Sequence, residues 1–300
     1  MKGFDVHIHT NTDCNLQCRH CYNNSGTGPA ILMQKDVMMG LLQLFGRESD
    51  IHLEGGEIML HPPLLASLCN LPDDILRIIT ITTNGTILTE DPSIIQMLRK
   101  IGCFRISIEG HTQESHGLIR NSSLQQVLGH AARYQTLGIP VTLRITLHEG
   151  NRDTLFCEGI PALIDQEFRR FQIYELQHQG RGITSHMAIS DNFNRILEDF
   201  SCMDCCADVK LMLSKKRTAE VLNARDMLLR NGAEVTFLEP ENSISICANG
   251  NITVCPWSDE NTLGNVNAMS SKELIRFWEQ DIFIHTCDYC SRIRLRKERI

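Results

Sequence analysis

Six short β-rich runs alternate with helical stretches along the first half of the chain. The runs lie at residues 4–9, 51–54, 78–83, 104–109, 141–147 and 171–176, and the helical stretches at 34–45, 63–68, 92–101, 124–137 and 155–166. Repeated strand–helix alternation has few solutions: the strands run parallel, each helix crossing back over one face of the sheet. The run Gly138-Ile139-Pro140 stops the fourth helix and delivers the chain to the next strand. The expected fold class is α/β, a partial (β/α)6 barrel of the TIM type, with its chemistry at the C-terminal strand ends. Three hundred residues, 42% of them hydrophobic, suffice for such a core and a small appendage.

After Gly182 the pattern changes. Residues 192–231 read as helical and charged. A β-hairpin follows, with strands at 243–247 and 252–255 around the turn Ala248-Asn249-Gly250-Asn251. A helix at 271–280 and the pair Cys287 and Cys290 close the chain. The expected division is a core over residues 1–200 and a linker with a small α+β domain over 201–300. The basic tail, Arg292, Arg294, Arg296, Lys297 and Arg299, reads as a solvated surface.

The formal net charge of −7 gives no support to bulk binding of nucleic acid or of an anionic membrane. No apolar run approaches the ~18 residues of a membrane span, and the first ten residues hold no signal core. A cytoplasmic, reduced protein is expected. Thirteen cysteines in that setting point to metal or redox chemistry rather than disulfides. The isolated Cys69, Cys103 and Cys157 read as buried small apolar residues.

Cys14, Cys18 and Cys21 are spaced CxxxCxxC directly after the first strand. A zinc knuckle would want a fourth ligand, which His9 or His20 could supply. A [4Fe-4S] cube on three cysteines instead keeps one iron open to a small molecule. The strand ends favour the second reading. Gly55-Gly56-Glu57 follows the second strand, where glycines let backbone approach a ligand. Thr82-Thr83-Asn84-Gly85 ends the third strand and Ser107-Ile108-Glu109-Gly110 the fourth.

These stretches together resemble the radical S-adenosylmethionine enzymes, and most closely the branch with a C-terminal SPASM or twitch domain. Gly180-Arg181-Gly182 and Leu263-Gly264-Asn265-Val266 extend the resemblance over nearly the whole chain. It implies that Cys14, Cys18 and Cys21 ligate a [4Fe-4S] cluster whose open iron chelates S-adenosyl-L-methionine. It implies an adenine contact from the backbone of His20 and a methionine ammonium contact from Gly55, Gly56 and Glu57. Asn84 and Ser107 would line the ribose and carboxylate side, with Arg120 assisting at the carboxylate. Glu109 stands where relatives often carry aspartate. His116 also falls at an aspartate position, and no role is assigned to it. Reductive sulfonium cleavage would give a 5′-deoxyadenosyl radical that abstracts hydrogen from a substrate shielded from water.

The C-terminal segment resembles a twitch domain, which implies an auxiliary [4Fe-4S] cluster on Cys255, Cys287 and Cys290; a small zinc ribbon is the other reading. The fourth ligand stays open between Cys202, Cys205 or Cys206, Cys247, and none. Cys247 at the hairpin tip would lie roughly 10 Å from Cys255, at ~3.3 Å per residue. No cysteine follows Cys290, so a second auxiliary cluster is not expected.

The resemblance implies a maturase acting on a peptide or protein residue. A separate recognition protein would present that substrate, and a flavodoxin or ferredoxin would supply electrons. The alternatives are a small-molecule radical oxidoreductase or cofactor-biosynthesis enzyme and, more remotely, a non-enzymatic zinc-binding module.

Overall fold

The computed structural model describes residues 4–45, 48–176, 179–185, 187–189, 192–203, 206–238, 243–255, 262–279 and 291–298. Within them the strands are β1 (Asp5–His9), β2 (Asp50–Glu54), β3 (Ile79–Thr83), β4 (Cys103–Ile108), β5 (Val141–Leu147), β6 (Arg170–Glu175), β7 (Asp208–Ser214), β8 (Glu234–Phe237), β9 (Ser243–Ile246), β10 (Asn251–Thr253), β11 (Gly264–Asn265) and β12 (Ser291–Lys297). The helices are α1 (Lys35–Phe45), α2 (Pro62–Leu68), α3 (Asp73–Leu76), α4 (Pro92–Leu98), α5 (Gln113–Ile119), α6 (Leu124–Thr136), α7 (Ile160–Asp165), α8 (Phe193–Cys202), α9 (Thr218–Arg230) and α10 (Ser271–Trp278).

All the described strands join one sheet, ordered β11-β10-β9-β1-β2-β3-β4-β5-β6-β7-β12-β8. Neighbours from β1 to β7 are parallel, as βα units require. Each strand is two-faced. Val6, Ile8, Ile51, Leu53, Ile79, Ile81, Leu143 and Ile145 are fully buried against the helices. The alternate residues Asp5, His7, His52, Glu54, Arg105 and Arg144 turn to the other, inner face.

Helix boundaries follow local chemistry. Asp91 caps α4 by accepting from the Ser93 and Ile94 amides, with Pro92 at the first helical position. Ser123 caps α6, whose Leu124, Val127, Leu128, Ala131 and Tyr134 form one buried stripe. The stretch expected as one helix over 155–166 begins as a wider π turn at Leu155–Gly159 before α7. Pro161 has no amide hydrogen to continue a regular ladder, and the Gly159 amide reaches back to Thr154 O at 2.9 Å.

Several expectations are corrected. The stretch at 192–231 is not continuously helical: it is α8, then β7, then α9. Val209, Leu211 and Leu213 alternate with Asp208 and Lys210, so β7 buries one face and extends the parallel run beyond six strands. That strand lies past residue 200, where the core was expected to end. The described part of the basic tail is likewise no loose surface segment, although Arg294, Arg296 and Lys297 stay part-exposed and Arg299 lies outside the described residues. Residues of β12 pair with β7 and β8, Ile293 and Leu295 are buried, and Arg296 donates to Asp208 at 2.8 Å. The hairpin turn is also tighter than expected: the Cys247 amide bonds Asn251 O at 2.8 Å, so Cys247 faces Asn251 rather than Ile252. Of the isolated cysteines, Cys69 and Cys103 are half-buried and Cys157 is exposed.

Phe104 is fully buried on β4, its ring edge-on to Tyr134 at 5.0 Å. Phe104→Ala is expected to cost about 3–5 kcal/mol in urea denaturation, while Cys157→Ser stays within about 0.5 kcal/mol. A Phe104→Ala cost below about 1 kcal/mol would contradict this packing.

Candidate active site

The three-cysteine loop leaves β1 and is tied to the end of β2 by main-chain bonds. The Thr10 amide bonds Glu54 O at 2.7 Å, the Gly56 amide bonds Asn11 O at 2.7 Å, and the Glu57 amide bonds Asp13 O at 2.8 Å. A Cβ on Gly56 would sit 1.9 Å from Asp13 O, so only glycine permits this approach. From the far side, the segment after β6 closes on the same loop. The Arg181 amide bonds Cys21 O at 3.0 Å, and its guanidinium donates to Cys18 O at 2.8 Å and Ser25 O at 3.0 Å. Gly180, at φ +53°, lies against Tyr22 O, where a Cβ would come within 2.3 Å.

One cavity opens between these walls. Cys14, Cys18, Cys21, His20, Gly55, Gly56, Asn84, Ser107 and Arg120 all line it. Residues up to 167 positions apart in sequence, as Cys14 and Arg181 are, are thus brought together at the strand ends. Glu57 is not brought to the wall. It is fully buried beneath it, accepting from Thr83 Oγ1 at 2.7 Å and from the Asn84 and Met59 amides at 2.6 and 3.0 Å. Burial raises its carboxyl above the usual range, and those three donors oppose the rise.

Two polar side chains point at the cysteine sulfurs. Asn84 Nδ2 lies 3.8 Å from Cys14 Sγ, and Arg120 Nη1 lies 3.8 Å from Cys18 Sγ. Glu109 anchors the second of these. It accepts from Arg120 Nε at 2.7 Å and faces His20 Nε2 at 3.2 Å. Burial alone would raise the Glu109 carboxyl, but Arg120 and His20 hold it well below the usual range. Burial pushes the Cys14 thiol up to about 11 and raises Cys18 as well. The three sulfurs do not all lie within 4.8 Å of one another. Two thiolates on one zinc, at ~2.3 Å each, cannot be farther apart than about 4.6 Å. The donor set therefore suits a multi-iron cluster better than a single ion.

Comparison with known proteins agrees with this geometry. Residues 8–155 match the model of the Radical SAM superfamily. They form a radical SAM domain. Among individual relatives, the S-adenosylmethionine-dependent nucleotide dehydratase of a Thermoplasmatales archaeon is 26% identical over 209 residues, 67% of this chain and 75% of its own. The putative peptide biosynthesis protein YydG of Bacillus subtilis is 23% identical over 151 residues, 49% of this chain, which spans about half (47%) of that protein. The crystal structure of Streptococcus suis SuiB has a TM-score of 0.70 at 15% identity, covering 94% of this chain and 67% of SuiB. SuiB has also been solved bound to a precursor peptide, SuiA. At that identity SuiB speaks for the fold alone. The radical SAM α/β fold with its parallel sheet is therefore the fold of this chain, and no described helix is long and apolar enough to cross a membrane.

The C-terminal cysteines are only partly within view. Cys205, Cys287 and Cys290 lie outside the described residues; Cys202 and Cys206 are exposed, and Cys255 is buried. Because β10 runs antiparallel to β9, and β9 parallel to β1, Cys255 sits at the end of the sheet opposite the three-cysteine loop. Cys247, at the hairpin tip, sits at the same end as that loop.

The inner face of the radical SAM domain carries charges that sequence reasoning missed. Glu54 lines the cavity, accepts from Tyr22 Oη at 3.1 Å and faces His7 Nδ1 at 3.4 Å. His7 Nε2 faces Asp5 at 3.4 Å, and His52 Nε2 faces the same carboxylate at 2.9 Å. Asp5, His7 and His52 could be read as metal ligands, but their partners argue otherwise. Arg105 Nη1 lies 3.2 Å from His52 Nδ1 and can only donate, so the His52 proton must sit on Nε2. Both His7 nitrogens meet carboxylates, which makes His7 an imidazolium stacked on a neutral His52 at 4.7 Å. Burial works against that charge, yet Asp5 and Glu54 push His7 up to about 9. The available signal was the alternation Asp5-Val6-His7-Ile8-His9, which places acid and imidazole on the inner face of a strand.

His7 gains its partners only on folding, so its contribution is full below its unfolded value of about 6.5 and is lost as pH rises past about 9. Nitrogen-15 spectra of histidine-labelled protein should show His7 doubly protonated at pH 8 and His52 neutral. A His7 midpoint near 6.5 would contradict the bridge.

Proposed function

We propose that this chain is a radical S-adenosylmethionine enzyme that modifies a residue of a peptide or protein. The observation that carries the reading is the meeting of Cys14, Cys18 and Cys21 with Gly55, Gly56, Asn84, Ser107 and Arg120 around one cavity at the strand ends. The three cysteines would ligate a [4Fe-4S] cluster, leaving one iron for the amino and carboxylate groups of S-adenosylmethionine. Bound there, the pair supplies a one-electron cleavage that yields a 5′-deoxyadenosyl radical able to take hydrogen from the substrate.

The chain's own residues prepare that event. Arg181 and the glycine contacts hold the cysteine loop rigid. His20 would meet adenine through its backbone, while its ring is fixed by Glu109. Gly55 and Gly56 offer close main-chain approach to the methionine ammonium. Glu57, lying beneath them, would act by orienting the Asn84 amide and the strand end rather than by touching the ligand. Ser107 and Arg120 would meet the ribose and carboxylate side.

The likeness to YydG and the peptide-bound state of SuiB support a peptide substrate. On this reading Cys255, Cys287 and Cys290 hold an auxiliary [4Fe-4S] cluster, with a fourth ligand from Cys202, Cys205, Cys206 or Cys247, or none. Cys247 is disfavoured: it lies across from Asn251, four residues short of Cys255, or roughly 13 Å at ~3.3 Å per residue. A separate recognition protein would present the peptide, and a flavodoxin or ferredoxin would reduce the cluster. The likeness to the nucleotide dehydratase supports the second reading, a small-molecule radical enzyme.

Cys14→Ala, Cys18→Ala or Cys21→Ala should each abolish release of deoxyadenosine under anaerobic reduction; continued release would sink the assignment. Reconstituted protein should hold about eight irons, and the triple variant about four. Loss of all iron in the triple variant would rule out the auxiliary cluster.

A further inference from the structure

Arg144 is a half-buried cation on the cavity wall, held by an ion pair and a ring rather than by hydrogen bonds. It rises from the inner face of β5, with 18% of its side chain exposed, directly beside Ser107 in the β4–β5 register. Its nearest carboxylate oxygen, on Glu54, is 3.8 Å away, beyond hydrogen-bond reach. Among the described residues it donates no hydrogen bond. Its guanidinium instead lies over the Tyr174 ring, 4.9 Å from the centroid, which fixes the fork without engaging its N–H groups. The other two arginines on the wall are anchored by strong bonds, although Arg181 Nη1 is buried without a partner. Arg120 is bound to Glu109 at 2.7 Å, and Arg181 gives two of its three nitrogens to Cys18 O and Ser25 O.

A half-buried guanidinium held by a ring, its N–H groups open to a cavity, suits an oxyanion partner, which it binds through two parallel N–H bonds. The local charge selects its class. Glu109 neutralises Arg120 and Arg217 neutralises Glu175, so Arg144 and Arg181 stand against the single net negative charge of Asp5, His7 and Glu54. One net positive charge matches one carboxylate. Glu54, held ionised by His7 although burial opposes it, would repel a polyphosphate at this distance from Arg144.

We infer that Arg144, stacked on Tyr174, is the substrate-binding fork of this enzyme and takes a single carboxylate, that of an acidic residue in the peptide. The inference rests on the peptide reading above. It places the substrate between the three-cysteine loop and the opposite end of the sheet, where Cys255 lies.

The test is protection of Arg144 from phenylglyoxal, mapped by peptide mass spectrometry on the cluster-loaded chain without oxygen. Five probes are compared: S-adenosylmethionine alone, N-acetyl-glutamyl amide, its neutral isostere N-acetyl-glutaminyl amide, inorganic phosphate and GTP. Arg144 should label faster than Arg120 and Arg181 in the free enzyme. N-acetyl-glutamyl amide should slow it about threefold at a concentration of twice its Kd, by mass action, and the glutaminyl isostere should leave it unchanged. Protection by S-adenosylmethionine alone would make Arg144 a cosubstrate contact and overturn the inference. Protection by phosphate or GTP in place of the carboxylate would overturn it in favour of a phosphate site. Equal protection by both amides, no protection by any probe, or an unreactive Arg144 would also refute it. Deoxyadenosine release and the mass shift of a peptide substrate are read separately, so failure here is distinct from failure of the proposed function.

Discussion

Everything in the candidate site depends on how closely one loop is pressed against the end of a strand. The Asn11–Asp13 main chain lies on Gly55, Gly56 and Glu57 at hydrogen-bond distance, and a single methyl group at Gly56 would occupy the space of Asp13 O. Arg181 clamps the other side through the carbonyls of Cys18 and Ser25. A loop with no strand or helix of its own is thereby held as firmly as the sheet beneath it. That rigidity orients three thiols toward one cavity, although burial keeps those of Cys14 and Cys18 protonated while they are free.

Beneath the loop, the sheet's inner face is polar where the interior of a structural barrel would be packed with aliphatic side chains. The charges are nevertheless paired. Asp5, His7 and Glu54 alternate in sign, His52 is neutral with its proton directed by Arg105, and Glu109 holds Arg120 and His20. A removed partner would leave a buried charge uncompensated, which costs several kcal/mol. The network thus fixes the cavity wall, and Arg144 stands out because, among the described residues, its guanidinium is held by a ring and donates no hydrogen bond.

Much of this was legible in the residues. The six parallel strands were readable because buried-face residues such as Ile79, Ile81, Leu143 and Ile145 give continuous β-rich signals between capped helices. The cavity-lining cysteines, glycines, Asn84, Ser107 and Arg120 were readable because strand-end positions are marked by local motifs. What escaped had no such marker. The strand at 208–214 interleaves charged residues with its apolar ones and sits between two helices, so it passed for more helix. The strand at 291–297 carries arginine at every second position and passed for a solvated tail. The buried position of Glu57 depends on contacts to Thr83 and Asn84 that only the folded chain creates. Arg144 and His7 lie inside strands, where alternation tells which face they occupy but not what they meet.

The central claim is that three cysteines hold a cluster with one iron reserved for S-adenosylmethionine. The most direct measurement is electron–nuclear double resonance on the reduced cluster of the Cys255→Ala variant, with the cosubstrate labelled by nitrogen-15 at its amino group and oxygen-17 at its carboxylate. The account predicts hyperfine coupling to both labels, lost when Cys14, Cys18 or Cys21 is replaced. A reduced four-iron cluster without coupling to either label would contradict it.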